Sequence, residues 1–405
     1  MTDEAIRSGR ERGAAPILEA ALTLFRSRRP LDVSMREIAA AAGVAPSLLA
    51  YHFETRPRLL ARACDLAGVA WREKLARLTE LAGRSESLEQ RTEAAAAWLF
   101  ALSADRPDLA RLWGDLLLAA DRAPALAEVT ADWIEAWRQA WAKIDPHPIA
   151  AEFAAFELVF LPALAGSPER ELIVGEALRR VLRRTAGEPL RPSDAHWHTE
   201  LCLDHMDPRP APSERDLTVK NRIIDAAADI ISEAGTADAT HRAIAARARA
   251  SLSSMTYHFS SRADLVREGL LRVFERSMTS RPAGPAQAPS LAAFARDQQA
   301  RGERDGAGRP GERLAMVRAI AEVGLEAAVD PSFRPVAIEL RRIRGLVTRS
   351  ALGAALGRPA GGADAADYAV WESGASLLCD AERAAGAAGR AERVAEAMEL
   401  MFPRP

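Results

Sequence analysis

The sequence predicts an all-α protein built from two tandem copies of one helical unit. Tyr51-His52-Phe53 recurs as Tyr257-His258-Phe259. At that single offset of 206 residues Ile17 falls on Ile223, Ala20 on Ala226, Arg36 on Arg242, Ile38 on Ile244, Ser47 on Ser253, Arg56 on Arg262 and Leu59 on Leu265. Apolar residues also return every three or four positions, as in Ile17, Ala21, Leu24 and Phe25, the period of one helix face.

In chain order, that periodicity predicts a first helix near residues 14–27. Ser34-Met35-Arg36-Glu37 is a capping box, in which the Ser34 hydroxyl accepts from an early backbone N–H while Glu37 reaches back to the cap, so a second helix starts there. Gly43 ends it, because a residue without Cβ enters the left-handed conformation at little cost. Pro46 suits the first position of a third helix, about 46–52. Two helices joined by so short a turn are the arrangement that places the second in the major groove of DNA. Longer amphipathic helices follow at roughly 58–82, 87–104, 107–119, 125–143, 149–163 and 168–185, broken by Pro107, Pro124, Pro146-His147-Pro148 and Ser167-Pro168. The second half repeats this outline, with Asp330-Pro331 and Pro335 near the place of Asp121 and Pro124. Residues 187–215, rich in Pro and Asp, read as a linker with one short helix. The expected domains are a helix-turn-helix domain at 1–57, a helical domain at 58–186, the linker at 187–215, a second helix-turn-helix domain at 216–263 and a second helical domain at 264–405.

Met35-Arg36-Glu37-Ile38-Ala39, Ala42-Gly43-Val44, Tyr51-His52-Phe53, Thr55-Arg56 and Leu59-Leu60 resemble the amino-terminal domain of TetR-type (TetR/AcrR) transcriptional regulators. The second copy keeps Arg242, Ile244, Ala245, Tyr257-His258-Phe259 and Ser261-Arg262-Ala263-Asp264, but has Arg249 where Gly43 stands and Ala250 for Val44. Such regulators are ordinarily homodimers, so the resemblance implies two subunits fused into a covalent pseudo-dimer that is monomeric in solution. It also implies that Arg36, Ser47, Tyr51 and His52, with Arg242, Ser253, Tyr257 and His258, face double-stranded DNA. The helical remainder of each half is then a ligand-sensing and pairing domain.

The residues fit that role. Tyr and His can donate to phosphate oxygens or present ring edges to thymine methyls, while Phe53 and Phe259 seal the small core. The first recognition helix presents Pro46, Ser47, Leu48 and Ala50; the second presents Leu252, Ser253, Ser254 and Thr256. Neither carries Asn, Gln, Arg or Lys in its middle, so methyl contact and shape readout outweigh bidentate pairing. Because the two faces differ, the expected operator is an imperfect palindrome. Charge is distributed accordingly, if weakly: the chain is −2 overall, while residues 1–68 hold ten Arg against eight acids.

Six Trp residues lie in the first half and Trp371 alone in the second, with Trp197 in the linker. Trp133, Trp137 and Trp141, spaced by four, form a helix stripe that reads as packing core or interface. The sharper reading takes Trp98, Trp113, Trp137 and Phe156 as an aromatic pocket for a flat apolar effector, with the second half having lost its own. His198, Cys202 and His205 share a possible helix face with His196 near, but no fourth ligand is dictated, and neither a metal nor a cofactor is expected. Three cysteines form no disulfide framework, which points to a reducing cytoplasm. The most apolar run, 149–166, carries Glu152, Glu157 and Pro162 and is too short to span a bilayer, and the amino terminus is charged rather than signal-like, so no membrane partner is expected. The expectation is a DNA-binding regulator, a repressor released by a small apolar or aromatic effector. The alternative is a fused dimer whose degraded second head leaves it as a ligand-binding or protein-binding partner, decided by whether Arg249 still permits the turn. An enzyme is disfavoured, since no Ser-His-acid spacing, phosphate loop or HExxH is present.

Overall fold

Capping and proline signals place the helices much as the sequence predicts. The structure, a computed structural model, describes residues 3–30, 33–121, 123–167, 169–191, 219–236, 238–279, 290–302, 311–384 and 393–402. Among these every regular element is helical. The first copy comprises α1 (Asp3–Phe25), α2 (Met35–Ala42), α3 (Pro46–Phe53), α4 (Arg56–Gly83), α5 (Leu88–Asp105), α6 (Pro107–Ala119), α7 (Pro124–Trp141), α8 (Pro148–Phe160) and α9 (Glu169–Thr185). The second comprises α10 (Val219–Ala234), α11 (His241–Ala248), α12 (Leu252–His258), α13 (Arg262–Thr279), α14 (Leu291–Gly302), α15 (Glu312–Val329), α16 (Arg334–Arg342), α17 (Leu346–Leu356), α18 (Gly362–Ala384) and α19 (Arg393–Met401).

Prolines stand in the first turn of α3, α4, α6 and α7, where a missing N–H costs nothing. The Asp330 carboxylate accepts from Ser332 N (2.9 Å) and caps the short turn Pro331–Phe333 ahead of α16. α1 begins well before residue 14, because its first ten residues lack an apolar period that would mark them, and it passes through Pro16. The linker residues His196, His198, Cys202 and His205 lie outside the described residues, as do residues 192–218 generally.

Packing does not follow the repeat. One compact unit holds residues 1–151 and 378–389; the other holds 152–377 and 390–405. In the first unit α4 packs along α7, and Trp71, Trp113, Trp133, Trp137 and Trp141 are fully buried.

The second unit joins the end of the first copy to most of the second. The Arg180 guanidinium donates to both Asp367 oxygens, and Arg184 donates to Asp364 and to Asp367 (3.2 Å) while lying over the Phe402 ring. Arg341 donates to Glu157 (3.2 Å and 2.5 Å), and Trp371 Nε1 donates to Glu152 (2.7 Å). Arg180, Arg184, Arg341, Asp367 and Glu157 are buried, so Asp367 and Glu157 compensate guanidiniums that would otherwise be costly to desolvate. At Gly374 of α18 a Cβ would fall onto the Glu152 carbonyl of α8, so only glycine permits this approach of the two helices.

Candidate nucleic-acid interface

Each reading head is a three-helix unit closed by the residues the repeat shares. Ile17, Ala21, Phe25, Ile38, Leu49 and Phe53 are buried in the first; Ile223, Ala227, Ile231, Ile244, Met255 and Phe259 are buried in the second. The capping box of α2 forms as expected: Glu37 N donates to Ser34 Oγ (3.3 Å), and Ser34 N donates to Glu37 Oε2 (2.8 Å). Hydrogen bonds from Ser34, then the Arg28 guanidinium, hold the Glu37 carboxyl down to about 2. In the second head Thr240 caps α11 through Ala243 N (3.2 Å), with no acid to complete the box.

The turn between second and third helices is the same in both heads. Gly43 takes φ 67 and Arg249 takes φ 50, both left-handed. Val44 N donates to Ala39 O and Ala250 N to Ala245 O, each at 3.0 Å. Arg249 therefore supports the turn, at a steric cost of about 1 kcal/mol that glycine avoids. The third helix starts differently in each copy. Pro46 follows an Ala45 that offers no side-chain cap, whereas Ser251 Oγ accepts from Ser254 N (3.1 Å) and caps α12. A serine directly before an apolar helix start was the available sequence signal for Ser251.

On the recognition helices the candidate DNA residues separate from the core residues between them. Tyr51 is 60 % exposed and Tyr257 84 %, while Phe53 and Phe259 are buried. Leu48 and Leu252 are exposed at 37 % and 58 %. Arg36, Pro46, Ser47, Ala50, Arg242, Ser253 and Thr256 are also exposed, and Ser254 is half-buried. The Thr256 hydroxyl is turned back to Ser253 O (3.1 Å) and Leu252 O (3.3 Å), leaving its methyl as the free group. His52 and His258 are half-buried, each edge-on to its tyrosine, and His52 leans on Gly13 of α1.

The heads are anchored by residues that no local pattern marks. Arg29 Nε donates to Asp115 (2.7 Å, both buried), and Arg111 donates to Phe25 O (2.8 Å) and Arg26 O, so α6 holds the segment after α1. In the second copy α15 does the same: Glu322 accepts from Thr236 N, and Glu326 accepts from Arg262 (3.4 Å). The repeat-matched Arg56 and Arg262 clamp the same loop, through Val33 O (2.9 Å) and Thr236 O (2.7 Å). α6 also carries Trp113, which joins a stack of indoles: Trp71 to Trp133 at 4.8 Å, Trp71 to Trp113 at 5.2 Å, Trp113 to Trp137 at 5.0 Å and Trp98 to Trp137 at 6.0 Å. Trp98, Trp113 and Trp137 are thus together in the first unit. Phe156 belongs to the second, where it meets Phe160 and Arg344.

Residues 17–63 and 223–268 each match the family model "Bacterial regulatory proteins, tetR family". The chain is also 37% identical over 83 residues to an HTH-type transcriptional repressor of Mycobacterium tuberculosis and to an HTH-type transcriptional regulator of Mycobacterium bovis. That stretch covers 20% of this chain and 42% of each relative, so the chain spans less than half the length of the curated relatives it matches. The chain carries two tetR-family units in tandem. No helix among the described residues is long and apolar enough to cross a membrane.

Proposed function

We propose that the chain is a cytoplasmic DNA-binding transcriptional regulator, a repressor in which two tetR-type heads on one polypeptide read a single operator. The observation that carries this is the pair of recognition helices whose tyrosines stand in solvent beside sealed phenylalanines, twice and in one register. Exposed Leu48 and Leu252 suit thymine methyls, and Arg36 and Arg242 suit flanking phosphates. The buried contacts among 152–185 and 341–402 support a covalent pseudo-dimer. A fused partner at an effective concentration near millimolar outcompetes a second molecule, so the chain acts as a monomer.

Fusion also frees the two heads from reading identical half-sites, and the operator is accordingly an imperfect palindrome. The first head, with Gly43 and a complete capping box, supplies more of the base-specific energy. The reading with a degraded second head loses its main ground, since Arg249 adopts the turn.

Release follows from the indole stack. A flat apolar or aromatic effector that inserts among Trp98, Trp113 and Trp137 displaces α6, and with it the Asp115 and Arg111 contacts that hold the segment after α1. Selection of bound fragments from random DNA, followed by a scan of every operator position, tests the reading. Mismatches cost unequally in the two half-sites, against a typical ~1–3 kcal/mol each. Equal penalties, or no selected sequence, refute it.

A further inference from the structure

Two arginines stand two residues apart at the end of α11, and the fold uses them differently. Arg247 is engaged by α10: its guanidinium donates to both Glu233 oxygens, each at 2.6 Å, and lies 3.7 Å from Asp229. Arg249 is exposed, and among the described residues no carboxylate or other acceptor engages its guanidinium. The remaining acids of α10 are taken as well, Asp225 by Arg272 (2.8 Å) and Arg276 (2.9 Å), and Asp229 by Arg276 (2.6 Å).

Arg249 also occupies the position of the turn that disfavours a side chain, at φ 50. Its repeat mate Gly43 makes the same turn without steric cost, and solvation of a surface charge gives no reason to accept that cost. A residue held in a sparsely populated conformation, with no partner in its own fold, points to a partner outside it. Its place in the head says which. Arg249 lies two residues before Ser251, which caps α12, and just ahead of the exposed Leu252 and Ser253. In helix-turn-helix docking the first residues of the recognition helix reach base edges while the helix before it crosses the backbone, so the turn joining them lies where the groove meets a phosphate strand. A guanidinium suits a phosphate there, because its planar fork donates two parallel N–H bonds.

We infer that Arg249 clamps a DNA phosphate at the second half-site, a contact for which the first head has no counterpart. The inference rests on the regulator reading above and deepens it. Phosphate contacts fix register and carry no sequence information. The second head's share of binding is therefore more salt-dependent and less sequence-dependent than the first head's, and the steric cost of the arginine turn is offset on the operator.

The test uses the full chain and the operator selected from random DNA, with affinity read by fluorescence anisotropy over a range of sodium chloride concentrations. Arg249→Gly weakens binding about three- to tenfold at low salt. It makes the slope of log affinity against log salt shallower by roughly 0.9, the share of one phosphate, and it melts at a higher temperature than the parent. Lost affinity in a more stable protein is a result that a merely structural role does not give. Arg249→Gln, which keeps the strained turn and removes the charge, loses the same slope, and Arg249→Lys retains it. Mismatch penalties in both half-sites stay at their parental values. Replacing operator phosphates one at a time by methylphosphonate finds a position, in one half-site, whose neutralisation weakens the parent but not Arg249→Gly. An unchanged slope in Arg249→Gly, altered mismatch penalties, or the absence of such a phosphate overturns the contact while the regulator reading stands. A parent chain that binds no DNA overturns the regulator reading, and the contact with it.

Discussion

Gly374→Ala offers a test in which two physical effects have opposite signs. Removing a helix-interior glycine ordinarily stabilises a helix by up to about 1 kcal/mol. At residue 374, however, the new Cβ lands on the Glu152 carbonyl oxygen, with the carbonyl carbon 2.7 Å away and Phe156 Cβ at 3.4 Å. Carbon atoms in contact prefer about 3.5–4.0 Å, so α8 and α18 must separate by about 1 Å. That stretches the 2.7 Å bond from Trp371 Nε1 to Glu152 beyond hydrogen-bonding distance. Overpacking and the lost buried bond together cost about 2–4 kcal/mol, which outweighs the helix-propensity gain. Equilibrium urea unfolding of the full chain, monitored by Trp fluorescence and circular dichroism, reads the difference. Gly83→Ala, whose Cβ meets nothing within 4 Å, is the control and is neutral or stabilising. Gly374→Ala as stable as the parent would refute the close approach of α8 and α18 from which the pseudo-dimer is argued.

Four further outcomes follow, three from the heads and one from α4. Tyr51→Ala weakens operator binding by about 1–2 kcal/mol at fixed salt and leaves the melting temperature unchanged, whereas Phe53→Ala destabilises by about 3–5 kcal/mol; a reversed pattern in paired binding and melting assays counts against the assignment. Arg249→Gly stabilises by about 1 kcal/mol while Gly43→Ala destabilises by a similar amount, so like-signed shifts in chemical unfolding would show that the two turns differ. Glu37, held down to about 2, contributes its cap fully above the ordinary carboxylate value of 4.5 and loses it as pH falls from there through about 2. A carboxyl titration by NMR that finds Glu37 at 4.5, or one unaltered by Ser34→Ala, contradicts this. Burial pushes the Cys64 thiol up to about 12, so iodoacetamide at pH 8 leaves it unmodified in the native chain, and mass spectrometry of the Cys64 peptide checks it.

What the sequence made legible was local. Ser34 with Glu37, Gly43 and Pro46 each act within one turn of a helix, and they set α2 and α3 almost to the residue. The repeat at a fixed offset identified both heads, and it set exposed Tyr51 and Tyr257 apart from sealed Phe53 and Phe259 because neighbours on a short helix face opposite ways. Interactions joining distant residues left no such trace. Arg29 and Asp115 lie 86 residues apart, and Trp371 and Glu152 lie 219 apart. Arg29, Asp115 and Glu152 read as ordinary surface-type residues until the fold brings their partners. The spacing of Trp133, Trp137 and Trp141 marked a stripe, but it could not show that Trp71 arrives from α4 to fill the stack. In the second half, poor in aromatics, buried Arg344 reads in a linear sequence as a solvated helix residue, and only the fold places it over the Phe156 ring.

The measurement that tests the central reading most directly is the mass and stoichiometry of the chain by sedimentation, alone and with its selected operator. The reading requires a free species of 43.7 kDa at micromolar protein and one chain per duplex, with both half-sites protected. A free species of twice that mass, or two chains on each duplex, would show that the two units in one polypeptide do not serve as each other's partner.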